Sequence, residues 1–307
     1  MDVARYAQFL PEEFQSTQHQ PVSTWWNWSN RQIHVARASR PDASVRVMGI
    51  HGAGGHAEAL WPFAALAADE GVEVIFPDLP LYGYTVEPQP SLVRYGDWID
   101  MLCDFVNAER AADPRPLILF GASMGGMMAY EIAARTGQVA AVLATCLLDP
   151  ADPDARAAAA RWGPLGRAAP TLLPPLVRFG GGVRLPIKWL VRMNRISNDP
   201  ALSMLCSSDP RGGGVRVPLG FLADWFAYKH TPPEEFTAAP VTLIHPAADR
   251  WTPPQLSQRF LARVAAPTES VLLDNCGHFP IEEPGLTQLA AAARSVVSAV
   301  AEQHRRS

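Results

Sequence analysis

A serine hydroxyl attacks carbonyl carbon only when a base takes its proton, and that base is nearly always a histidine oriented by a carboxylate. Gly121-Ala-Ser123-Met-Gly125 supplies the Gly-x-Ser-x-Gly spacing in which such a serine is presented. Read without context, the pentapeptide is also what a glycine-bearing turn with a passive serine looks like. Eight histidines compete for the role of base. His278 stands in a short polar loop between the last strand-like run and the last helix, preceded by Gly277. His245 ends a buried strand and reads as a packed residue, and His51 opens a glycine loop that it braces. For the carboxylate, Asp249 follows a buried strand on the side where Ser123 emerges. Asp149, after the preceding strand, is the runner-up, and Asp274, Glu282 and Glu283 read as solvated. The order is Ser123…Asp249…His278. A tetrahedral intermediate also needs two N–H donors. Met124, next after the nucleophile, supplies one, and Ala53 in His51-Gly-Ala-Gly-Gly-His56 the other, with Gly54 its neighbouring candidate.

These residues need particular elements to hold them. Pro116-Leu-Ile-Leu-Phe120 is a short apolar run of the buried parallel-strand type, and Met127 to Arg135 carries helix formers without a breaker. The pentapeptide between them is then a sharp strand-to-helix turn that lifts Ser123 clear of the backbone and aims the helix amino terminus at any charge developing there. Around it, 24–28 and 32–37 form a hairpin turning at 29–31. Strands are expected at 44–50, 72–76 and 139–145, and helices at 60–69 and 95–109. Trp98, Ile99, Leu102, Phe105 and Val106 share one helical face. The alternation resumes with strands at 241–245 and 270–273, a helix at 254–264 and a closing helix at 283–302. Strands alternating with helices predict a mostly parallel central sheet flanked by helices, an α/β class. Trp25, Trp26 and Trp28 are expected to cover a sheet edge rather than stack a ligand, and residues 1–20 suit one short amphipathic helix.

From Asp149 to Pro240 the rhythm breaks. Proline and glycine are dense, and helical patches stand at 153–162, 187–196 and 218–229. This predicts a helical insertion over the carboxyl ends of the strands, where open α/β sheets bind ligands. Within it, 180–186 (Gly-Gly-Gly-Val-Arg-Leu-Pro) and 212–218 (Gly-Gly-Gly-Val-Arg-Val-Pro) nearly repeat. The likeness reads as coincidence, and the triple glycines as hinges of a lid. Apolar residues of the insertion suit either an acyl pocket or plain core. The stretch Leu173 to Met193, with Arg178, Arg184, Lys188 and Arg192, reads as a solvated face in preference to one resting on an anionic membrane.

Composition narrows the alternatives. Hydrophobic residues make up 48% of 307, so a large core is available, and a formal charge of -4 gives no footprint for nucleic acid. There is no Walker lysine, no full dinucleotide fingerprint, no His-Glu-x-x-His and no Cys/His cluster, so neither a cofactor nor a metal is expected. The amino terminus lacks a basic-then-apolar leader, and Cys103, Cys146, Cys206 and Cys276 read as reduced thiols; the expectation is a cytoplasmic protein without firm membrane association.

His51-Gly-Ala-Gly54 together with Gly121-Ala-Ser-Met-Gly-Gly126 resembles the α/β-hydrolase superfamily, and within it monoacylglycerol lipases and lysophospholipase-like serine hydrolases. The resemblance runs from about residue 22 to the end. It implies the α/β-hydrolase fold in two parts (1–149 and 237–307) around a helical cap (150–236), Asp249 as carboxylate, His278 as base, and an oxyanion hole from Ala53 and Met124. One motif departs: many relatives carry Asp-x-x-Gly-His-Gly-x-Ser after the fourth strand, where this chain has Asp78-Leu-Pro-Leu-Tyr-Gly-Tyr-Thr85. The expected activity is hydrolysis of a small-molecule carboxylic ester with an apolar acyl or alcohol part. Lactone, amide or carbon–carbon substrates on the same residues, and a non-catalytic ligand-binding protein, are the alternatives.

Overall fold

The computed structural model describes residues 1–15 and 19–306. The amino-terminal segment is not one helix. It breaks into α1 (Ala4–Ala7) and a 3-10 turn at Glu12–Phe14, and residues 16–18 of the expected helix lie outside the described residues.

The hairpin follows as β1 (Val22–Trp28) and β2 (Arg31–Ala38), turning at Ser29, which takes a positive φ. Then come β3 (Arg46–Ile50), α2 (Ala57–Asp69), β4 (Glu73–Pro77), α3 (Tyr95–Ala112), β5 (Leu117–Gly121), α4 (Met124–Thr136) and β6 (Ala141–Ala144). The insertion contributes α5 (Pro153–Ala159), α6 (Gly163–Gly180), β7 (Arg184–Pro186), α7 (Ile187–Leu190), α8 (Pro200–Ser208), β8 (Arg216–Pro218) and α9 (Leu219–Ala227). The chain closes through β9 (Val241–Pro246), α10 (Pro254–Leu261), β10 (Thr268–Leu273) and α11 (Gly285–Arg306).

Eight strands form one sheet in the order β1-β2-β4-β3-β5-β6-β9-β10. β1 and β2 run antiparallel to their neighbours and all later pairs are parallel. Parallel strands need both faces covered, and β5 shows how its sequence meets that demand. Leu117 and Leu119 join one buried cluster with Trp98, Leu102 and Phe105 of α3, while Ile118 between them joins another with Leu289 and Val300 of α11. On the edge strand β1, Trp26 packs against Phe105 with ring centroids 5.0 Å apart, and Trp28 Nε1 donates to Asp104. Trp26 and Trp28 thus cover the sheet edge, while Trp25 beside them is left exposed.

Two features of the insertion depart from expectation. α6 runs through Pro170, Pro174 and Pro175, each of which removes a helical N–H donor; this is why no helix was expected there. All three prolines are exposed. The near-repeated heptapeptides are not a coincidence of sequence: they pair with each other. β7 and β8 form a two-stranded antiparallel ladder with Arg184 opposite Pro218, Leu185 opposite Val217 and Pro186 opposite Arg216. In β8, Val217 is fully buried while Arg216 is exposed.

Candidate active site

β5 delivers the chain to the turn, and close backbone approach dictates its glycines. A Cβ on Gly121 would overlap the Gly125 carbonyl, one on Gly125 the Ile50 carbonyl, and one on Gly126 the Cys146 carbonyl. None of the three takes a positive φ; Ser123 does, with φ 56° and ψ -122°. Such a conformation costs a non-glycine residue about 1–3 kcal/mol and persists only where the surroundings over-determine it. Here Ser123 N–H donates to Thr145 Oγ1 at 2.9 Å, Ala122 N–H to Ile50 O at 2.9 Å, and Gly125 N–H to Ala122 O at 2.8 Å. Gly125→Ala sets a methyl against a carbonyl of an interior strand, with backbone on both sides. We expect it to destabilise by about 3 kcal/mol, seen as a lower denaturation midpoint in urea. An unchanged midpoint would contradict this packing.

The three residues singled out in the sequence meet. His278 Nε2 lies 2.8 Å from Ser123 Oγ, and His278 Nδ1 lies 2.7 Å from Asp249 Oδ2. Ser123 is half-buried, while His278 and Asp249 are nearly enclosed. Asp249 Oδ1 accepts from the N–H groups of Trp251 and Thr252, and Thr252 Oγ1 donates to Asp249 Oδ2 at 2.7 Å. Burial works against this charge, but His278 and the Thr252 hydrogen bonds more than offset it and hold the carboxyl down at about 2. An ionised Asp249 keeps the proton on Nδ1 and leaves Nε2 free to accept from the serine. Asp149, the runner-up, instead faces His230 Nδ1 at 3.8 Å.

Several residues of this arrangement had no clear signal in the sequence. Trp251 packs its ring 4.7 Å from the His278 ring, and Thr252 Oγ1 sits 3.3 Å from His278 Nδ1 beside its bond to Asp249. Glu282, expected to be solvated, is half-buried, and its Oε2 accepts from the N–H groups of Gly277 and Ile281, bracing the loop that carries His278. A Cβ on Gly277 would meet Asn198 of the insertion, and Phe279 N–H donates to Ile196 O at 2.6 Å. The histidine loop is thus packed from both sides. Spacing alone did not signal these braces.

The glycine loop meets the elbow as expected. A Cβ on Gly52 would press on Ser123 and on Met124 N, so the two backbones are in contact. Neither the Ala53 nor the Met124 N–H donates within the backbone hydrogen-bond pattern of the described residues, and both residues line the same cavity as Ser123. His51 is enclosed; burial lowers it to about 4, so the ring is neutral, with Nδ1 donating to Gly52 O and Nε2 accepting from Leu79 N–H. At the loop's other end, His56 Nε2 lies 3.4 Å from Asp209 Oδ2, which also accepts from Tyr6 Oη at 2.5 Å and Arg5 at 3.2 Å. That buried carboxylate ties α1, the glycine loop and the insertion at one point. His245 is enclosed within β9 and donates from Nδ1 to Pro246 O.

Ser123 opens into a cavity of about 320 Å³. Its walls are almost wholly apolar, formed by Leu148 beside the sheet and by residues of the insertion including Leu165, Leu172, Phe221, Trp225 and Phe226. A serine whose proton can pass to a histidine, with two N–H groups outside the backbone pattern at hand and an apolar cavity in front, is equipped to transfer an acyl group.

The comparisons with known proteins agree with this architecture. No curated protein matches the chain in sequence. A soluble variant of monoglyceride lipase from Saccharomyces cerevisiae, solved with a substrate analogue, superposes with a TM-score of 0.76 at 18% identity, over 93% of this chain and 97% of that one. The monoacylglycerol lipase of Paleococcus ferrophilus gives 0.67 at 20% identity over 87% and 98%. The enol-lactonase of Burkholderia xenovorans LB400 gives 0.62 at 13% identity over 90% and 100%. At these identities the likeness is one of fold: the mostly parallel eight-stranded sheet flanked by helices is the α/β-hydrolase fold. The sequence profile of the alpha/beta hydrolase family matches residues 47–292, which spans β3, the elbow, the insertion and the histidine loop. With most of its length matched and its sheet in that arrangement, this chain belongs to the alpha/beta hydrolase family.

Proposed function

We propose that the chain is a serine hydrolase that cleaves a carboxylic ester with an apolar acyl or alcohol part through an acyl-enzyme. The observation that carries this reading is the hydrogen-bonded chain Ser123–His278–Asp249 opening into an apolar cavity. In the proposed sequence Ser123 Oγ attacks the ester carbonyl while His278 Nε2 takes its proton. The tetrahedral oxyanion lies between the Ala53 and Met124 N–H groups, each worth about 10²–10³ in rate. Collapse expels the alcohol, which receives the proton from His278. Water, deprotonated by the same nitrogen, then attacks the acyl-enzyme and releases the acid and Ser123. No cofactor enters. Residues 150–236 act as a cap that walls the acyl site, between the two parts of the core at 1–149 and 237–307.

An apolar pocket gains about 0.8 kcal/mol per buried methylene, so specificity should climb with chain length until the cavity is full. We expect kcat/KM across a series of acyl esters, monoacylglycerols included, to rise roughly tenfold per two carbons and peak at medium to long chains. A steady fall from the shortest ester onward would point to a small-molecule esterase. Absence of turnover for every ester would overturn the ester reading and move the search to lactones, amides and carbon–carbon bonds.

A further inference from the structure

The chain as a whole is acidic, with a formal charge of -4, yet residues 155–198 contain eight arginines and lysines and no aspartate or glutamate. Among the described residues only Arg167 of these eight forms an ion pair, with Asp154. The same segment is where apolar surface is left in water. Of thirteen large hydrophobic residues exposed among the described residues, seven fall between 162 and 189. α6 has eighteen residues and buries only Gly166 and Ala169, and Phe179 at its end is 89% exposed.

The two kinds of residue are interleaved. At the amino end of α6, Arg161 N–H donates to Leu190 O and its guanidinium to Lys188 O. This brings exposed Trp162 and Trp189 beside two cations. At the carboxyl end, Arg178 lies over the Phe179 ring, with exposed Val183 and then Arg184 following. Eighteen helical residues span about 27 Å, so the two clusters mark the ends of a strip of that order. Between them Leu165, Leu172 and Leu176 are at once exposed and on the cavity wall.

We infer that this face docks on an anionic phospholipid surface, and that apolar substrate enters the cavity along α6 from the lipid side. The second part rests on the ester-hydrolase reading; the first does not. A water-soluble partner protein would be matched by mixed charges at its rim, whereas positive charge relieved only at Arg167 around aromatic and aliphatic tips fits the headgroup region. Arginine and lysine place their stems along apolar surface and their charges among phosphates, and tryptophan sits at that same level. No helix among the described residues is long and apolar enough to cross a membrane, so the contact is a docked one. The sequence alone favoured a solvated face here. The exposure of Trp162, Phe179 and Trp189 reverses that preference.

The test is flotation of the full chain, as Ser123→Ala so that binding is read without turnover, with vesicles of phosphatidylcholine alone or with phosphatidylserine added. With about one-third phosphatidylserine we expect roughly tenfold stronger binding than to neutral vesicles, weakening as salt is raised. Arg178→Glu with Lys188→Glu should abolish that preference. Phe179→Ser with Trp189→Ser should weaken binding to the mixed vesicles by about tenfold. None of these four lies on the cavity wall, so with Ser123 intact both double variants should hydrolyse a dissolved short-chain ester as the parent does. Equal binding to both vesicle types, or to neither, overturns the proposal. So does a dimer in sedimentation that Phe179→Ser with Trp189→Ser dissolves, without vesicle binding; the face then belongs to a second copy. Failure of dissolved-ester hydrolysis would strike the hydrolase reading alone, and failure of vesicle binding this one alone.

Discussion

Ser123→Ala is expected to lower kcat toward the best ester by about 10⁴-fold or more while the fold stays intact. The Oγ is the atom that would bond to the acyl carbon, and no neighbouring hydroxyl in the described site stands in its place: Thr145 Oγ1 is already engaged by the Ser123 N–H, and Thr252 Oγ1 by Asp249. What survives the substitution is the proposed oxyanion pair of Ala53 and Met124 and the cavity, neither of which can form an acyl-enzyme. The Ser123–His278 hydrogen bond is lost, but Ser123 lines the cavity and no core side chain is removed, so far-ultraviolet circular dichroism and the melting midpoint should change little. Turnover retained within tenfold of the parent would remove Ser123 from the mechanism.

Asp249→Asn is expected to cost about 10⁴ in kcat with little change in KM. The amide can turn its NH₂ toward His278 Nδ1, which then becomes an acceptor and moves the ring proton to Nε2, where it faces Ser123 and blocks the base. The surrounding donors sharpen the effect, since Trp251 N–H, Thr252 N–H and Thr252 Oγ1 are all arranged for a carboxylate that only accepts. A pH signature accompanies it. Asp249 titrates at about 2 in the fold, below its value in an unfolded chain. Its contribution is therefore present above about pH 4 and fades as pH falls through about 2, and a shift of that size corresponds to about 2 kcal/mol. Urea denaturation of the parent from pH 5 downward should show this loss, and the asparagine variant, which has no carboxyl to protonate, should lack that component. Identical acid profiles for the two would mean that the carboxylate is not held as described.

The sheet and the meeting of Ser123, Asp249 and His278 were legible because their signals are local or tied to strand ends. Gly121 and Gly125 flank a serine between an apolar run and a helix, and Asp249 and His278 each follow a strand whose apolar residues declare it. The spacing marks the sharp turn, but the backbone approaches that require glycine, Gly121 against the Gly125 carbonyl and Gly125 against the Ile50 carbonyl, exist only once the fold is formed. What stayed hidden depends on distant segments meeting. Thr252 looks like any loop threonine until Asp249 Oδ2 lies beside it, and Glu282 looks solvated until the His278 loop folds back on it. α6 escaped notice because three prolines argue against a helix, and propensity cannot register the packing of α6 against α5 and α9 that overrides them. The amino-terminal residues Arg5 and Tyr6 had no visible task, yet both reach Asp209, more than two hundred positions away.

The pairing of the two heptapeptides has a mechanical consequence. Taken singly, each glycine triplet is a swivel, and two swivels in series would let the segment between them flap. Joined by the β7–β8 ladder, and further by Leu219 N–H to Val183 O and Gly220 N–H to Gly181 O, they are yoked side by side. Rotation at one tract must be matched at the other or the ladder shears. Displacement of α6 is then transmitted to α9, which packs against it and supplies Phe221, Trp225 and Phe226 to the same cavity. The α6 and α9 sides of the cavity are geared together, so what presses on the outside of the insertion bears on the width of the cavity in front of Ser123.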